Sequence, residues 1–432
     1  MESRRIIKNA SWIIACKIVQ ALLSIVVTML TARFLGPSGY GLINYAASIV
    51  AFVAPIMYLG LNSVIVQELV SNPEDEGKAL GSAIGMSFLA SFFCIGGVMA
   101  FVSIANKGET DTFVICSLYS ILLLSQSLEM IIYWFQAKLL SKYSSIVSLI
   151  AYIVTSIYKI VLLATRQSVY LFAISNALDY LLIAILSFGL YRKLGGQKLS
   201  FSFSAFKRMF RSSKYYIIAN LMVTVYAQTD KIMIKLMIDD AATGYYSAAV
   251  TCAGMTGFVF TAIIDSFRPM IFDNKTNNQG SYENNVIRLY NIVIYLSLIQ
   301  CLVITACSGI IIKILYGTNY SNSVEALRII VWYTTFSYLG AVRNIWLLAE
   351  GKQRFLLWIN LIGAASNIIL NYFLIVYIGI NGAALASLIT QLVTNVAVGF
   401  VLKPIRKNNK LMWTALNPRI TVELFKNISR KS

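Results

Sequence analysis

Histidine is absent from this 432-residue chain, and charged residues of both signs are scarce. Only 12% of the residues are charged, whereas a soluble domain carries roughly 25% charged residues. Without histidine, His-based proton relays and most transition-metal sites are excluded. Hydrophobic residues make up 58% of the chain, and no soluble fold of this length could bury so much apolar surface.

Cysteine is also rare, and its spacing carries no motif. The six cysteines are Cys16, Cys94, Cys116, Cys252, Cys301 and Cys307. All of them fall within apolar stretches, and none forms a CxxC pair, so neither a disulfide framework nor a zinc site is indicated. The sequence therefore predicts no metal and no cofactor.

Long apolar runs dominate what is present. Runs of about 20 apolar residues recur along the chain, and each could cross a hydrocarbon core of roughly 30 Å as a helix. The basic segment Met1–Ala10 is followed by no small-residue cleavage site, which predicts an uncleaved first helix. The pattern predicts an all-α membrane protein with about twelve transmembrane helices, over residues 12–32, 41–64, 80–105, 112–135, 145–165, 169–191, 214–237, 244–268, 286–311, 325–349, 355–377 and 382–402.

The basic residues lie unevenly between these runs. With the N-terminus placed in the cytoplasm, about 26 of the 36 Lys and Arg residues fall on the cytoplasmic side and about 5 on the other. This is the positive-inside pattern of membrane proteins, and it places both termini in the cytoplasm. It also explains the net charge of +18 without nucleic acid as a partner, although the basic loops could hold anionic membrane lipids.

The two halves of the chain resemble each other at an offset of 203 residues. The segment that begins at Gly41 matches the one that begins at Gly244, and polar residues recur at the same phase in the helices before them. Because the offset preserves the membrane orientation, the repeat is a parallel one. We therefore expect two pseudo-symmetric six-helix bundles, at 1–195 and 214–402, joined by a cytoplasmic linker at 196–213 and followed by a basic cytoplasmic tail at 403–432.

Several segments, in order along nearly the whole chain, carry a family resemblance. They are Ala32-Arg33-Phe34-Leu35-Gly36-Pro37-Ser38-Gly39-Tyr40-Gly41, Trp134-Phe135-Gln136-Ala137, Gly244-Tyr245-Tyr246-Ser247-Ala248-Ala249, Asn367-Ile368-Ile369-Leu370-Asn371 and Gly379-Ile380-Asn381-Gly382-Ala383-Ala384. With them the chain resembles the polysaccharide or O-antigen flippases of the multidrug/oligosaccharidyl-lipid/polysaccharide exporter superfamily.

This resemblance implies alternating access between two bundles in the bacterial inner membrane. The implied cargo is a polyprenyl-diphosphate-linked oligosaccharide, which moves from the cytoplasmic to the periplasmic leaflet. A flippase makes and breaks no covalent bond, so no catalytic residue is expected. The partners to expect are the lipid-linked oligosaccharide, membrane lipids, and a polysaccharide polymerase with chain-length proteins.

Ionisable residues inside the apolar runs are costly and mark candidate sites. Positive charge suits a diphosphate, and amide side chains suit sugars. The candidates for cargo binding are Lys17, Lys159, Lys231, Arg343, Asn220 and Gln228. The basic candidates all lie close enough to a predicted helix end to reach the headgroups instead.

Acidic residues at depth are candidates for ion coupling. They are Asp179, Glu129 and Asp230. Asp179 is about ten residues from either end of its predicted helix, so its side chain must be protonated, paired or facing water. Lys159, at a similar depth one helix earlier, is the expected partner.

Two other functions stay open from the sequence. A multidrug exporter of the same superfamily would favour an acidic cavity for cationic drugs, whereas the embedded charges here lean positive. A membrane glycosyltransferase or O-antigen polymerase usually presents a long external loop. The longest external loop predicted here, 312–324, is short and holds no acidic residue.

Overall fold

The computed structural model describes residues 2–277 and 279–418, within which all regular structure is helical. Helices satisfy every backbone N–H and C=O group internally, as the hydrocarbon of a membrane demands. The first helices are α1 (Glu2–Met57), α2 (Ile65–Ser71), α3 (Glu76–Ala105), α4 (Thr110–Ser120), α5 (Leu122–Glu129), α6 (Ile132–Ala137), α7 (Ser141–Ala164) and α8 (Val169–Lys193). They are followed by α9 (Phe203–Met237), α10 (Asp240–Gly254), α11 (Gly257–Asn277), α12 (Gln279–Leu315), α13 (Ser323–Ala349), α14 (Arg354–Leu392), α15 (Val398–Val401) and α16 (Arg406–Thr414).

Two of these helices contain a sharp break. Non-helical backbone at Gly36 interrupts α1, and non-helical backbone at Ile378 and Gly379 interrupts α14. Each broken helix contains one predicted span and the first part of the next. A π-helix, Val393–Ala397, links α14 to α15.

Seven helical stretches in the described part of the chain are long and apolar enough to cross a membrane. The number is eight if Asp240–Gly254 and Gly257–Lys275, which are bent by 43°, form one span. Because Ala15–Met57 and Arg354–Val401 are each long enough for two predicted spans, these counts are consistent with twelve. The number twelve itself stays a prediction.

Many large apolar side chains lie on the outside of the protein. Phe93, Ile104 and Tyr377 are among the most exposed. Such surfaces would favour aggregation in water, but lipid tails are as apolar as the side chains themselves. The protein is therefore a multi-pass membrane protein.

The chain forms two compact units. The first contains Met1–Gln228 and Asp239–Gly244, and the second contains Thr229–Ile238 and Tyr245–Ser432. The first has a core around Leu61, Trp134 and Phe135. The second has a core around Tyr290 and Trp346.

The predicted linker, 196–213, is not a free connection. Residues 197–202 run along α3, where Ser200 N donates to Gly77 O at 3.2 Å and Ser202 N donates to Ser82 Oγ at 2.8 Å. Residues 203–213 form the first turns of α9, and Ser213 Oγ donates to Leu59 O at 2.8 Å. Residues 197–213 thus pack on the first unit, which extends along α9 to Gln228.

The predicted basic tail, 403–432, is partly built into the second unit. Within it, α16 packs against α12, and Tyr290 Oη donates to Asn408 Oδ1 at 2.9 Å. Asn291 Nδ2 donates to Ala415 O at 2.7 Å, just after α16. Residues 419–432 of the predicted tail lie outside the described residues.

Equivalent positions of the repeat meet within the first unit. Gly41 and Gly244 are 203 positions apart, as are Pro37 and Asp240. A Cβ atom on Gly41 would lie 1.8 Å from Asp240 O, and one on Gly244 would lie 2.0 Å from Pro37 O. The two contacts are reciprocal, as in an interface with two-fold symmetry. Only glycine permits so close an approach of two backbones.

Candidate functional site

A buried carboxylate lies at the centre of a polar cluster in the second unit. Asp230, on α9, is only 6% exposed. It accepts hydrogen bonds from Tyr246 Oη at 2.5 Å, from Asn371 Nδ2 at 2.6 Å and from Ser387 Oγ. Asn371 and Ser387 lie on opposite sides of the break in α14. Three donors, one from α10 and one from each part of α14, thus compensate part of the cost of burying this carboxylate.

The cluster is rich in oxygen atoms. Asn371 Nδ2 also donates to Asn367 Oδ1 at 3.1 Å, one helical turn earlier on α14. Among the described residues, no group of three or more His, Cys, Asp or Glu side chains could hold a metal ion. A single carboxylate surrounded by amide and hydroxyl oxygens suits a proton or one hard cation, because hard cations prefer oxygen ligands. Lys231, the adjacent residue, is half-buried.

A second polar cluster lies in the first unit, around Asp179 on α8. Thr155 Oγ1 donates to Asp179 Oδ1 at 2.8 Å. Lys159 Nζ donates to Asn176 Oδ1 at 3.1 Å, and Asn176 Nδ2 donates to Tyr119 Oη at 2.8 Å. Lys159 and Asp179, the candidate pair, thus each hydrogen-bond to a neutral side chain, and they remain within electrostatic range of each other without a direct ion pair.

Glu129 belongs to the same region. It ends α5 and lies within electrostatic range of Asp179 and of Tyr58, Tyr133 and Tyr180. Two carboxylates within electrostatic range of each other cannot both ionise at low cost, because their negative charges repel. The region therefore favours uptake of a proton or attraction of a cation.

The remaining predicted residues have different surroundings. Lys17 is exposed on α1. Asn220 and Gln228 are half-buried on α9, and Gln228 Oε1 accepts a hydrogen bond from Ser48 Oγ at 3.0 Å. Within residues 2–277 and 279–418, no hydrogen bond joins these three side chains to either cluster.

Arg343 is 5% exposed, so it lies in the protein interior in this conformation. Its Nη1 donates to Thr394 O at 2.6 Å, and its Nη2 donates to Asn344 Oδ1 at 3.0 Å. Thr394 lies in the π-helix, whose wider turns often occur at functional sites. Arg343 therefore joins α13 to this π-helix.

Several members of the clusters were not predicted as site residues: Tyr119, Asn176, Tyr246, Asn367, Asn371 and Ser387. Some carry a signal in the sequence. Asn367 and Asn371 lie one turn apart on one helix face, and Asn176 precedes Asp179 by three positions. Ser387 carries none, because a lone serine in an apolar helix usually bonds to its own backbone.

Comparison with known proteins gives a family match and shared folds. A profile of the family described as polysaccharide biosynthesis protein matches residues 6–275. A Shigella flexneri protein provisionally named an O-antigen transporter is 23% identical over 405 residues, which cover 88% of this chain and 94% of that protein.

Two solved structures share the fold over nearly the whole chain. The lipid II flippase MurJ, in an inward closed conformation, aligns with a TM-score of 0.73 at 15% identity and covers 95% of this chain and 92% of that one. A multidrug resistance MATE family transporter of the MOP superfamily, in an inward-facing conformation, aligns with a TM-score of 0.67 at 13% identity. That alignment covers 92% of this chain and 96% of the transporter. The chain therefore has the helical fold that these transporters share.

Proposed function

Because this chain belongs to the polysaccharide biosynthesis protein family, we propose that it is a flippase for polyprenyl-diphosphate-linked oligosaccharides. It moves them from the cytoplasmic to the periplasmic leaflet of the bacterial inner membrane by alternating access, and it catalyses no covalent step. The family match carries this proposal. The relative named as an O-antigen transporter supports it, because it matches over nearly its whole length.

Coupling to an ion gradient is supported by the cluster around Asp230. A buried carboxylate is stable only when it is neutralised or fully hydrogen-bonded. Asp230 has three donors, and the hydroxyls of Tyr246 and Ser387 can rotate to offer lone pairs to an entering cation. Binding of Na⁺ or a proton there changes the packing of α9 against the two parts of α14. The region of Asp179 and Glu129 is a second coupling site, for a proton.

Positive side chains bind the diphosphate in this proposal. Lys159 is supported by its half-buried position and by its hydrogen bond to a neutral amide, which leaves it without a direct ion pair. Lys17 and Lys231 offer further positive charge on α1 and α9, and Asn220 and Gln228 offer amides to the sugars. Arg343 would have to release Thr394 O before it could bind cargo.

Reconstitution of the purified full chain in vesicles tests the function directly. The vesicles contain a polyprenyl-diphosphate oligosaccharide, and a lectin outside them measures the sugars that cross. We expect crossing well above the level of protein-free vesicles. Lys159→Ala should weaken cargo binding by about 1.5–3 kcal/mol, or roughly tenfold to a hundredfold, and Lys159→Arg should weaken it less.

Two controls separate the alternative functions. Transport of a cationic dye without transport of the lipid-linked sugar would indicate a multidrug exporter. Lengthening of the sugar chain, measured by mass spectrometry, would indicate a polymerase. A polymerase and chain-length proteins are the partners to seek beside the flippase in cells.

A further inference from the structure

The short helix α16 has a face fixed against the second unit. Asn408 and Asn409 are buried, and Asn409 Nδ2 donates to Val396 O at 2.8 Å. Leu411 and Met412 are buried on the same side. With the bond from Tyr290 to Asn408, these contacts determine the face that α16 turns away from the protein.

That outward face is basic. Arg406, Lys407 and Lys410 are exposed on α16, and the exposed Lys403 lies in the 3-10 turn Lys403–Ile405 that leads into it. Positions 403, 406 or 407, and 410 are three or four residues apart, which is the spacing of one helix face. Lys407 forms an ion pair with Glu283 at 2.7 Å, and Arg406 Nε donates to Phe400 O at 3.0 Å. Within the described ranges, Lys403, Arg406 and Lys410 have no acidic partner within 4 Å. Their positive charge is therefore not neutralised by the described part of the chain.

Exposed apolar side chains adjoin these cations. Val401 is 76% exposed and Trp413 is 49% exposed, with Phe400 and Leu416 exposed beside them. The rings of Phe400 and Trp413 lie 6.2 Å apart. Tryptophan next to lysine and arginine, at the end of an apolar helix, is typical of the boundary between hydrocarbon and headgroups.

We propose that the outward face of α16 binds acidic phospholipid headgroups of the leaflet on its own side of the membrane. Lys403, Arg406 and Lys410 contact the phosphates, while Phe400 and Trp413 insert among the acyl chains. The charge distribution along the chain predicts that this side faces the cytoplasm. A free phosphate would satisfy the cations alone, but only a lipid also covers the apolar side chains.

Native mass spectrometry of the purified full chain, in micelles titrated with phosphatidylglycerol, tests this site. The variant K403Q/R406Q/K410Q should bind phosphatidylglycerol at least about tenfold more weakly, because each cation near an anionic lipid surface adds to the attraction. The matched control, K107Q/R166Q/K313Q, removes three exposed cations elsewhere and should bind as the unmodified protein does. In titrations with phosphatidylcholine, the unmodified protein and both triple variants should bind the lipid with the same affinity.

Two further variants separate lipid binding from misfolding and from binding of free phosphate. K403R/R406K/K410R keeps the charge and should retain the affinity for phosphatidylglycerol. Trp413→Ala should weaken phosphatidylglycerol binding, and inorganic phosphate should not displace the lipid. Three results would each overturn the proposal. K403Q/R406Q/K410Q could bind phosphatidylglycerol as tightly as the unmodified protein does, or the control triple variant could lose as much affinity. The third is displacement of the lipid by inorganic phosphate.

Discussion

Asp230 receives its three hydrogen bonds from residues 16, 141 and 157 positions away in the chain. These partners come from three parts of the fold and meet only when the helices pack. Each supplies a neutral donor, so none of the three neutralises the carboxylate, and the adjacent Lys231 lies within electrostatic range of it. At the scale of residues, the proposed ion coupling therefore rests first on the carboxylate of Asp230.

Asp230→Asn should abolish stimulation of transport by an ion gradient while the protein still inserts in the membrane. Asparagine keeps the size of the side chain but cannot bind a proton or attract a cation as a carboxylate does. The measurement is sugar crossing in vesicles with and without a Na⁺ or proton gradient. Asp265→Asn is the matched control, because Asp265 is exposed and pairs with Arg268 at 2.9 Å. Gradient-stimulated crossing in the Asp230→Asn variant would refute the role of Asp230.

Asp179→Asn tests the second acidic cluster in the same assay. We expect a lower rate of sugar crossing, because asparagine removes a negative charge. That charge accepts a hydrogen bond from Thr155 and lies within electrostatic range of Glu129. The measurement is the initial rate of crossing at matched protein amounts. If only this variant loses stimulation by a proton gradient, the coupling ion is a proton bound in the first unit. Full crossing in this variant would leave Asp179 with a structural role.

At the scale of elements, the reciprocal contact of Gly41 and Gly244 determines how closely two helical segments approach. Alanine at either position should lower the melting temperature in detergent, because overpacking of this kind costs about 1–3 kcal/mol. Gly97→Ala is the control, since no heavy atom lies within 4 Å of a Cβ atom there. In a helix that substitution should be neutral or stabilising. Equal melting temperatures for all three variants would contradict the close packing.

Glu350 directly follows α13, and its side chain connects this helix end to α11 and α12. It pairs with Lys275 of α11 and accepts a hydrogen bond from Tyr282 Oη of α12 at 3.1 Å. Burial raises the pKa of Glu350, but the hydrogen bond and charge of Lys275 outweigh burial and hold that pKa below its ordinary value of 4.5. The stabilisation is therefore present above about pH 4.5 and is lost as the pH falls through the lowered pKa.

The melting temperature of the protein should consequently fall as the pH drops below about 4.5. Glu350→Gln should show a smaller fall over this range, and at pH 7 it should be less stable by about 1 kcal/mol. Thermal melts in detergent between pH 3 and pH 7 measure both effects. A variant whose melting curve followed that of the unmodified protein at every pH would exclude this role for Glu350.

At the scale of the whole molecule, the uneven distribution of positive charge predicts the orientation in the membrane. Reporter fusions after Lys142, Arg211 and Lys410 should indicate the cytoplasm, and those after Gly108 and Asn319 the periplasm. The structure alone does not determine which side is which, because the orientation depends on the membrane and on insertion. A periplasmic signal after Arg211 would contradict the predicted number or orientation of the helices.

Much of this architecture could be predicted from the sequence. The apolar runs correspond to helices, and the resemblance to flippases agrees with the family match. The breaks at Gly36 and Gly379 fall in the gaps between predicted spans, at 33–40 and 378–381. The packing of the linker was harder to predict from the sequence, because the first turns of α9 have the composition of a polar surface segment. Only the structure shows that they pack on the first unit.

By itself the sequence determined that this is a helical membrane protein with a repeat and a family. Hydrophobicity and charge act residue by residue, so their pattern can be followed along the chain. Only the tertiary structure decided which buried charges have which partners. It gave Lys159 an amide in place of Asp179, and it brought Ser387 to Asp230. Such pairings depend on helix rotation and on breaks such as that at Gly379, which position side chains in three dimensions and leave little trace in the local pattern.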